Sequence, residues 1–139
     1  MTQHKIKATA IIQIQFYDLD PMNIVWHGNY ARFLEQARCA LLEKIGYSYQ
    51  EMADSGYAYP IVDMRLKYIR PTTLMQKIEV EATLDEWENR IRISYLIRDA
   101  VSGEKLSKAR TTQMAVEMES GETSFVCPDV LIRKVEACV

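Results

Sequence analysis

The residues between Phe16 and Tyr30 are the ones best suited to chemistry. They read Phe16-Tyr17-Asp18-Leu19-Asp20-Pro21-Met22-Asn23-Ile24-Val25-Trp26-His27-Gly28-Asn29-Tyr30, with two carboxylates, a tryptophan and one of the 2 histidines of the chain. This loop runs into a helix. Backbone N–H groups in a first helical turn lack intrahelical partners, so they can polarise a carbonyl or hold an oxyanion. Asp20 lies a short loop away and supplies the complement, either a base for water or a nucleophile for the same carbon. Hydrolysis of an activated acyl group is the chemistry such a pair can do. Asp18 and Asp20 also suit a plain turn, because aspartate bonds nearby backbone, and Asp18 reads as structural. His27 beside Trp26 equally suits a packed histidine, which leaves its backbone N–H as the more useful group. A metal site at Asp18, Asp20 and His27 is not expected, since no further histidine falls nearby.

Regular elements must hold this loop in place. The even positions from Ile6 to Phe16 are apolar while Lys7, Thr9, Gln13 and Gln15 break the odd face, which predicts a half-buried first strand. Tyr30, Phe33, Leu34, Ala37, Leu41 and Ile45 then recur at helical spacing, with Asn29 as N-cap and Gly46 as the stop. Ala40 and Leu42 widen that stripe, so the helix should lie deep against a sheet. A helical turn from Ser48 to Ser55 follows, ended by Gly56. The period then changes to two: Val62, Met64, Leu66 and Tyr68 face one way, and Pro71 ends that strand. Ile78 to Leu84 and Ile91 to Ile97 form an antiparallel hairpin through Trp87-Glu88-Asn89. Ser102-Gly103 precedes a fifth strand from Lys105 to Met118, Gly121 turns into a short last strand, and Pro128 opens a helix from Asp129 to Glu136.

Strand, long helix and a run of antiparallel strands define an α+β fold rather than a parallel doubly wound one. The 139 residues suit a single domain covering 1–139, and 48% hydrophobic with 26% charged residues is an ordinary globular mixture. No apolar run approaches the roughly 20 residues of a membrane span, and the first residues lack the apolar core of a secretory signal, so a cytoplasmic protein is expected. Cys39, Cys127 and Cys138 form no CxxC pair, which favours reduced thiols over disulfides or structural zinc. A formal net charge of -2 gives no global basic footprint for nucleic acid. A sheet covered by one long helix has open edges, and pairing with a second copy commonly closes them.

The run Asp-x-Asp-Pro-x-x-Ile-Val-Trp-His-x-Asn-Tyr resembles the 4-hydroxybenzoyl-CoA thioesterase family of hotdog-fold proteins, which includes bacterial acyl-CoA thioesterases. The resemblance implies a hotdog fold, a long central helix wrapped by a curved antiparallel sheet of five to six strands. It implies that Asp20 is the catalytic carboxylate, as nucleophile or general base. His27 would offer its backbone N–H to the thioester oxygen, its side chain assisting, with Trp26, Gly28, Asn29 and Tyr30 around the substrate. Family members of this kind can carry a tyrosine four residues before the aspartate, where this chain has Phe16 with Tyr17 beside it. Tyr59, with Tyr57 and Pro60, is a candidate lining for the acyl group.

A CoA substrate also carries phosphates and calls for a cationic rim. Arg90, just after the Glu86-Trp87 pair, matches basic residues of related enzymes, and Arg92, Lys67 and Arg70 are further candidates. The implied substrate is an acyl-CoA, with no cofactor, no nucleic acid, and a homodimer or homotetramer as the working unit. An acyl-carrier-protein thioester, another hotdog activity such as a dehydratase, or a non-catalytic acyl-thioester binding module are the alternatives.

Overall fold

The computed structural model describes residues 5–139. In chain order its elements are β1 (Lys7–Gln13), α1 (Tyr30–Ile45), α2 (Tyr49–Asp54), β2 (Tyr57–Ala58), β3 (Ile61–Tyr68), β4 (Lys77–Glu86), β5 (Ile91–Asp99), β6 (Lys105–Gln113), β7 (Ala115–Glu117), β8 (Thr123–Ser124) and α3 (Asp129–Glu136). Five strands form an antiparallel sheet in the order β1-β4-β5-β6-β3, and β2-β7-β8 form a small second sheet.

Alternation on β4 and β5 decides which face is covered. Ile78, Val80, Ala82 and Leu84 are buried, as are Ile91, Ile93, Tyr95 and Ile97. Their neighbours Glu79, Glu81, Arg92 and Ser94 stand on the outer face, half exposed. The stripe Tyr30, Phe33, Leu34, Ala37, Leu41, Leu42 and Ile45 of α1 packs over the inner face, against β1 and β4. Each such side chain contributes roughly 1.5–3 kcal/mol by leaving water. Gly46 ends the helix at φ 84, with its N–H donating to the carbonyls of Leu42 at 3.1 Å and Glu43 at 3.0 Å.

One charge lies inside this layer. Arg38 of α1 is only 7% exposed, and its guanidinium donates to the phenol oxygens of Tyr49 at 2.7 Å and Tyr95 at 3.3 Å. No carboxylate pairs with it among the described residues. Tyr95 in turn shares a 2.7 Å hydrogen bond with Thr111, and burial raises its phenol above the ordinary value.

The structure departs from the expected elements in three places. Phe16 is 79% exposed instead of continuing the buried face of β1, because the chain turns into a 3-10 segment at Phe16–Asp18. The Asp18 carboxylate holds that turn by accepting the Gln15 N–H at 2.8 Å. The fifth strand does not run unbroken from Lys105 to Met118. It divides at Met114 into β6, in the main sheet, and β7, which pairs with β2 and β8. Finally, β3 is an edge strand paired only with β6, so Val62, Met64 and Tyr68 remain exposed and Leu66 alone of its apolar set is half buried.

Candidate active site

The loop after β1 is tied down before it reaches the helix. Leu19 bridges Val25, Ile24 bridges Thr73, and the Val25 N–H donates to the Thr72 carbonyl at 2.8 Å. Asp18 is the anchor. It is 2% exposed, its carboxylate pairs with Arg32, and its carbonyl accepts the Trp26 N–H at 2.9 Å and the Asn29 side-chain amide at 2.8 Å. The structural reading of Asp18 is the arrangement observed.

Two residues further on, Asp20 heads a tight turn. The Asn23 N–H donates to the Asp20 carbonyl at 2.9 Å, and Asn23 takes φ 64, a left-handed conformation that asparagine tolerates. One carboxylate oxygen of Asp20 accepts the Met22 N–H at 2.8 Å. The side chain is only half buried and lines a cavity of about 480 Å³ together with Met22, Ile24, Val25, His27 and Tyr30. Tyr68, Ile69, Arg70 and Pro71, at the far end of β3, complete the wall. Asp20 and His27 therefore face one space.

Asn29 stands immediately before the first residue of α1, Tyr30, in the N-cap position its sequence suggested, but without the capping hydrogen bond. Asn29 is already helical, makes no side-chain cap, and spends its amide on Asp18. A 3-10 turn at His27–Asn29 precedes α1, and Trp26 is the extended residue before it. Asn29 N–H donates to Trp26 and Tyr30 N–H to His27, whereas among the described residues no hydrogen bond uses the N–H of His27 or Gly28. These two are the free donors of the helix start. Gly28 has a steric reason as well: a Cβ there would overlap the ring of Trp26, which lies half exposed against it and 5.3 Å from the His27 ring. Tyr30 is buried, bonded to Thr72 at 3.1 Å and packed edge-on against Tyr68 at 4.9 Å. The Tyr68 phenol donates to the His27 carbonyl at 3.2 Å, and burial raises it above the usual value.

Tyr59 and Arg90 lie elsewhere in the chain. Tyr59 is buried, its phenol 3.1 Å from that of Tyr47, and burial together with that hydrogen bond raises it above the ordinary value. It lines a second, apolar cavity of about 400 Å³ with Tyr49, Met52, Ala53, Tyr57, Ala58, Pro60, Val116 and Met118. Arg90 sits at the β4–β5 turn and bonds Glu86 at 3.2 Å. Phe16 and Tyr17 are both exposed, outside either cavity, and Glu35 points to solvent. Sequence reasoning missed Tyr68 and Ile69, which reach the first cavity only through the β3–β6 pairing; an aromatic at a strand end before Ile69-Arg70-Pro71 was the available sign.

A long helix laid across one face of an antiparallel sheet is the hotdog arrangement. The chain belongs to the thioesterase-like superfamily, whose sequence profile matches residues 14–135. Thioester hydrolysis is the reaction class that membership assigns. A Bacillus subtilis (strain 168) protein provisionally named an acyl-CoA thioesterase, YneP, is 28% identical over 110 residues, covering 78% of this chain and 79% of that protein. A chloroplastic acyl-acyl carrier protein thioesterase of Arabidopsis thaliana is 30% identical over 73 residues, 52% of this chain and 38% of that one. The fold matches the DHNA-CoA thioesterase of Staphylococcus aureus with a TM-score of 0.82 at 24% identity, over 94% of this chain and 91% of that one. No helix among the described residues is long and apolar enough to cross a membrane.

Proposed function

We propose that this protein hydrolyses acyl-CoA thioesters to a free acid and CoA in the cavity shared by Asp20 and His27. The observation that carries the reading is one cavity lined by both the half-exposed Asp20 and His27, whose N–H at the helix start is unused. The thioester oxygen lies against the N–H groups of His27 and Gly28, where the helix start stabilises the developing negative charge. Asp20 then acts in one of two ways. As a base it takes a proton from water while the water oxygen bonds to the acyl carbon; as a nucleophile it bonds to that carbon itself, and water later opens the mixed anhydride. In both routes the C–S bond breaks and the thiolate leaves to be protonated. Trp26 and Asn29 hold the loop, and Tyr30 with Tyr68 walls the site.

The working unit in this reading is a homodimer joined along β3. That strand is a sheet edge carrying exposed Ile61, Val62 and Met64. Antiparallel pairing of β3 with its copy sets the beginning of one strand beside the end of the other. Tyr59 and Arg90 adjoin the beginning of β3, through Pro60 and through the pairing of Ile61 and Ile91 with Gln113. The Asp20 cavity adjoins its end. A dimer so built brings Tyr59 and the apolar cavity of one protomer to the acyl group, and Arg90 to the phosphates, at the Asp20 cavity of its partner. The reading needs neither metal nor cofactor and locates the enzyme in the cytoplasm.

The test is thiol release from acetyl-, decanoyl-, palmitoyl- and benzoyl-CoA by the parent and by Asp20→Asn. Turnover that vanishes in the variant supports the assignment; turnover that survives removes Asp20 from it. A single turnover in ¹⁸O-water follows the oxygen. Label that enters Asp20 and is missing from the first acid identifies the nucleophile route with water opening the anhydride at the Asp20 carbonyl carbon, whereas attack of water on the acyl carbon labels the first acid and leaves Asp20 unlabelled.

A further inference from the structure

The outer face of the sheet carries a charge pattern that the hydrolytic site does not use. Arg65 and Lys67 project from β3, and Lys108 and Arg110 from β6, around a shallow hollow of about 430 Å³ that also reaches Ser94 of β5. The register places like charges directly opposite each other, Arg65 against Arg110 and Lys67 against Lys108. Such pairs destabilise a sheet. Among the described residues Lys67, Lys108 and Arg110 have no carboxylate partner, and Arg65 has only Asp63 at 4.0 Å. A chain of net charge -2 thus concentrates cations on two adjacent strands.

The position of this ladder is informative. Beyond Lys67 the chain runs through Tyr68 and Ile69 to Arg70, which pairs with Glu104 and lines the Asp20 cavity. From Arg65 to Arg70 the backbone extends about 16 Å at the strand rise of 3.3 Å per residue. That length exceeds a single phosphate group and suits the acidic side of a small folded partner. The cations are exposed and mutually unshielded, so they favour encounter with a negative surface more than they define a pocket for one anion.

We propose that the β3–β6 ladder is a docking surface for an acidic carrier protein, which presents its thioester on a phosphopantetheine arm to the Asp20 cavity at the end of the ladder. This inference rests on the thioesterase reading of the Asp20 cavity and extends its substrate from acyl-CoA to the same acyl thioester carried on a protein-bound arm. The carrier lies along β3 and β6 with its acidic side against Lys67, Lys108, Arg65 and Arg110. Its arm enters past Arg70. The Arabidopsis relative, similar over 52% of this chain, is named a thioesterase for acyl-acyl carrier protein.

The test compares decanoyl-carrier protein with decanoyl-pantetheine and decanoyl-CoA, using the parent, Lys108→Glu/Arg110→Glu and the milder Lys108→Ser/Arg110→Ser. The expected result is a fall of tenfold or more in kcat/KM for the carrier substrate, carried by KM, steeper for the glutamate pair. Turnover of decanoyl-pantetheine stays within twofold, which also shows that the variants fold. The parent's preference for the carrier substrate should shrink as salt is raised from 0.05 to 0.5 M, because the Debye length falls from about 14 Å to about 4 Å. Loss confined to decanoyl-CoA would assign the ladder to CoA phosphates and overturn the proposal. So would a change in oligomer mass by light scattering, equal loss on all three substrates, or no effect on the carrier substrate. Failure of the hydrolytic reading looks different: decanoyl-pantetheine is then not cleaved, or is cleaved equally by Asp20→Asn.

Discussion

The two cavities at opposite ends of β3 differ in what they can do. The one at its end mixes a carboxylate, a histidine and an arginine with apolar wall; the one at its beginning is lined almost wholly by aromatic and aliphatic side chains. The first can move charge but offers an apolar chain a more polar wall. The second can shelter such a chain but holds nothing that could attack a carbonyl. The comparison teaches that polarity has been divided along one strand; the proposed antiparallel pairing of β3 with its own copy would reunite the halves.

The largest effect should come from the polar end. Asp20→Asn is expected to lower kcat by about a thousandfold, with thermal stability within about 1 kcal/mol of the parent, measured by thiol release and thermal unfolding. If the variant unfolds instead, the division between a reactive end and a structural strand has been drawn in the wrong place. Gly28→Ala comes next. The added methyl must displace Trp26, so we expect a kcat fall of about tenfold to a hundredfold and a changed tryptophan emission, through disturbance of the donors at the helix start.

At the apolar end the effect should be one of selectivity. Met118→Trp, which fills part of the second cavity, should lower kcat/KM for palmitoyl-CoA by about tenfold and leave acetyl-CoA within twofold. Equal losses on both esters would show that the two ends are not specialised. The mildest test is chemical. Burial, reinforced by Glu86, pushes the Cys127 thiol up to about 11, so at pH 8 it should resist alkylation while exposed Cys138 is modified. Labelling of Cys127 should rise as the pH approaches 11, followed by mass spectrometry of tryptic peptides.

Much of this architecture was legible in local patterns. The spacing from Tyr30 to Ile45 and the glycine behind it specify α1, and the alternation of Ile78 to Leu84 and Ile91 to Ile97 specifies the central hairpin, because burial on one face imposes those periods. Asp18 is separated from Asp20 by the resemblance of the whole segment and not by spacing, since both carboxylates accept a nearby backbone N–H, that of Gln15 and that of Met22. What stayed hidden depends on distant chain. Phe16 continues the alternation of β1 perfectly and is nevertheless exposed, because Asp18 closes a turn beneath it. The break at Met114 follows from β7 pairing with two strands of two residues each, too short to leave a period. Tyr68 and Arg70 join the first cavity only once β3 has found β6, an event that no window around Asp20 contains.

Arg38 carries one further consequence. A seam of leucine, alanine and phenylalanine is forgiving, and a helix resting on it could slide by a turn and still find grease beneath it. A permanent charge fastened to two phenols cannot: any other seating strands it away from Tyr49 and Tyr95 in a medium with no countercharge. Arg38 works as a dowel, giving up some stability so that only one seating of the helix is acceptable. Because Tyr30 and the loop before it are carried on the same rigid rod, the dowel also fixes how far the start of α1 reaches toward the end of β3.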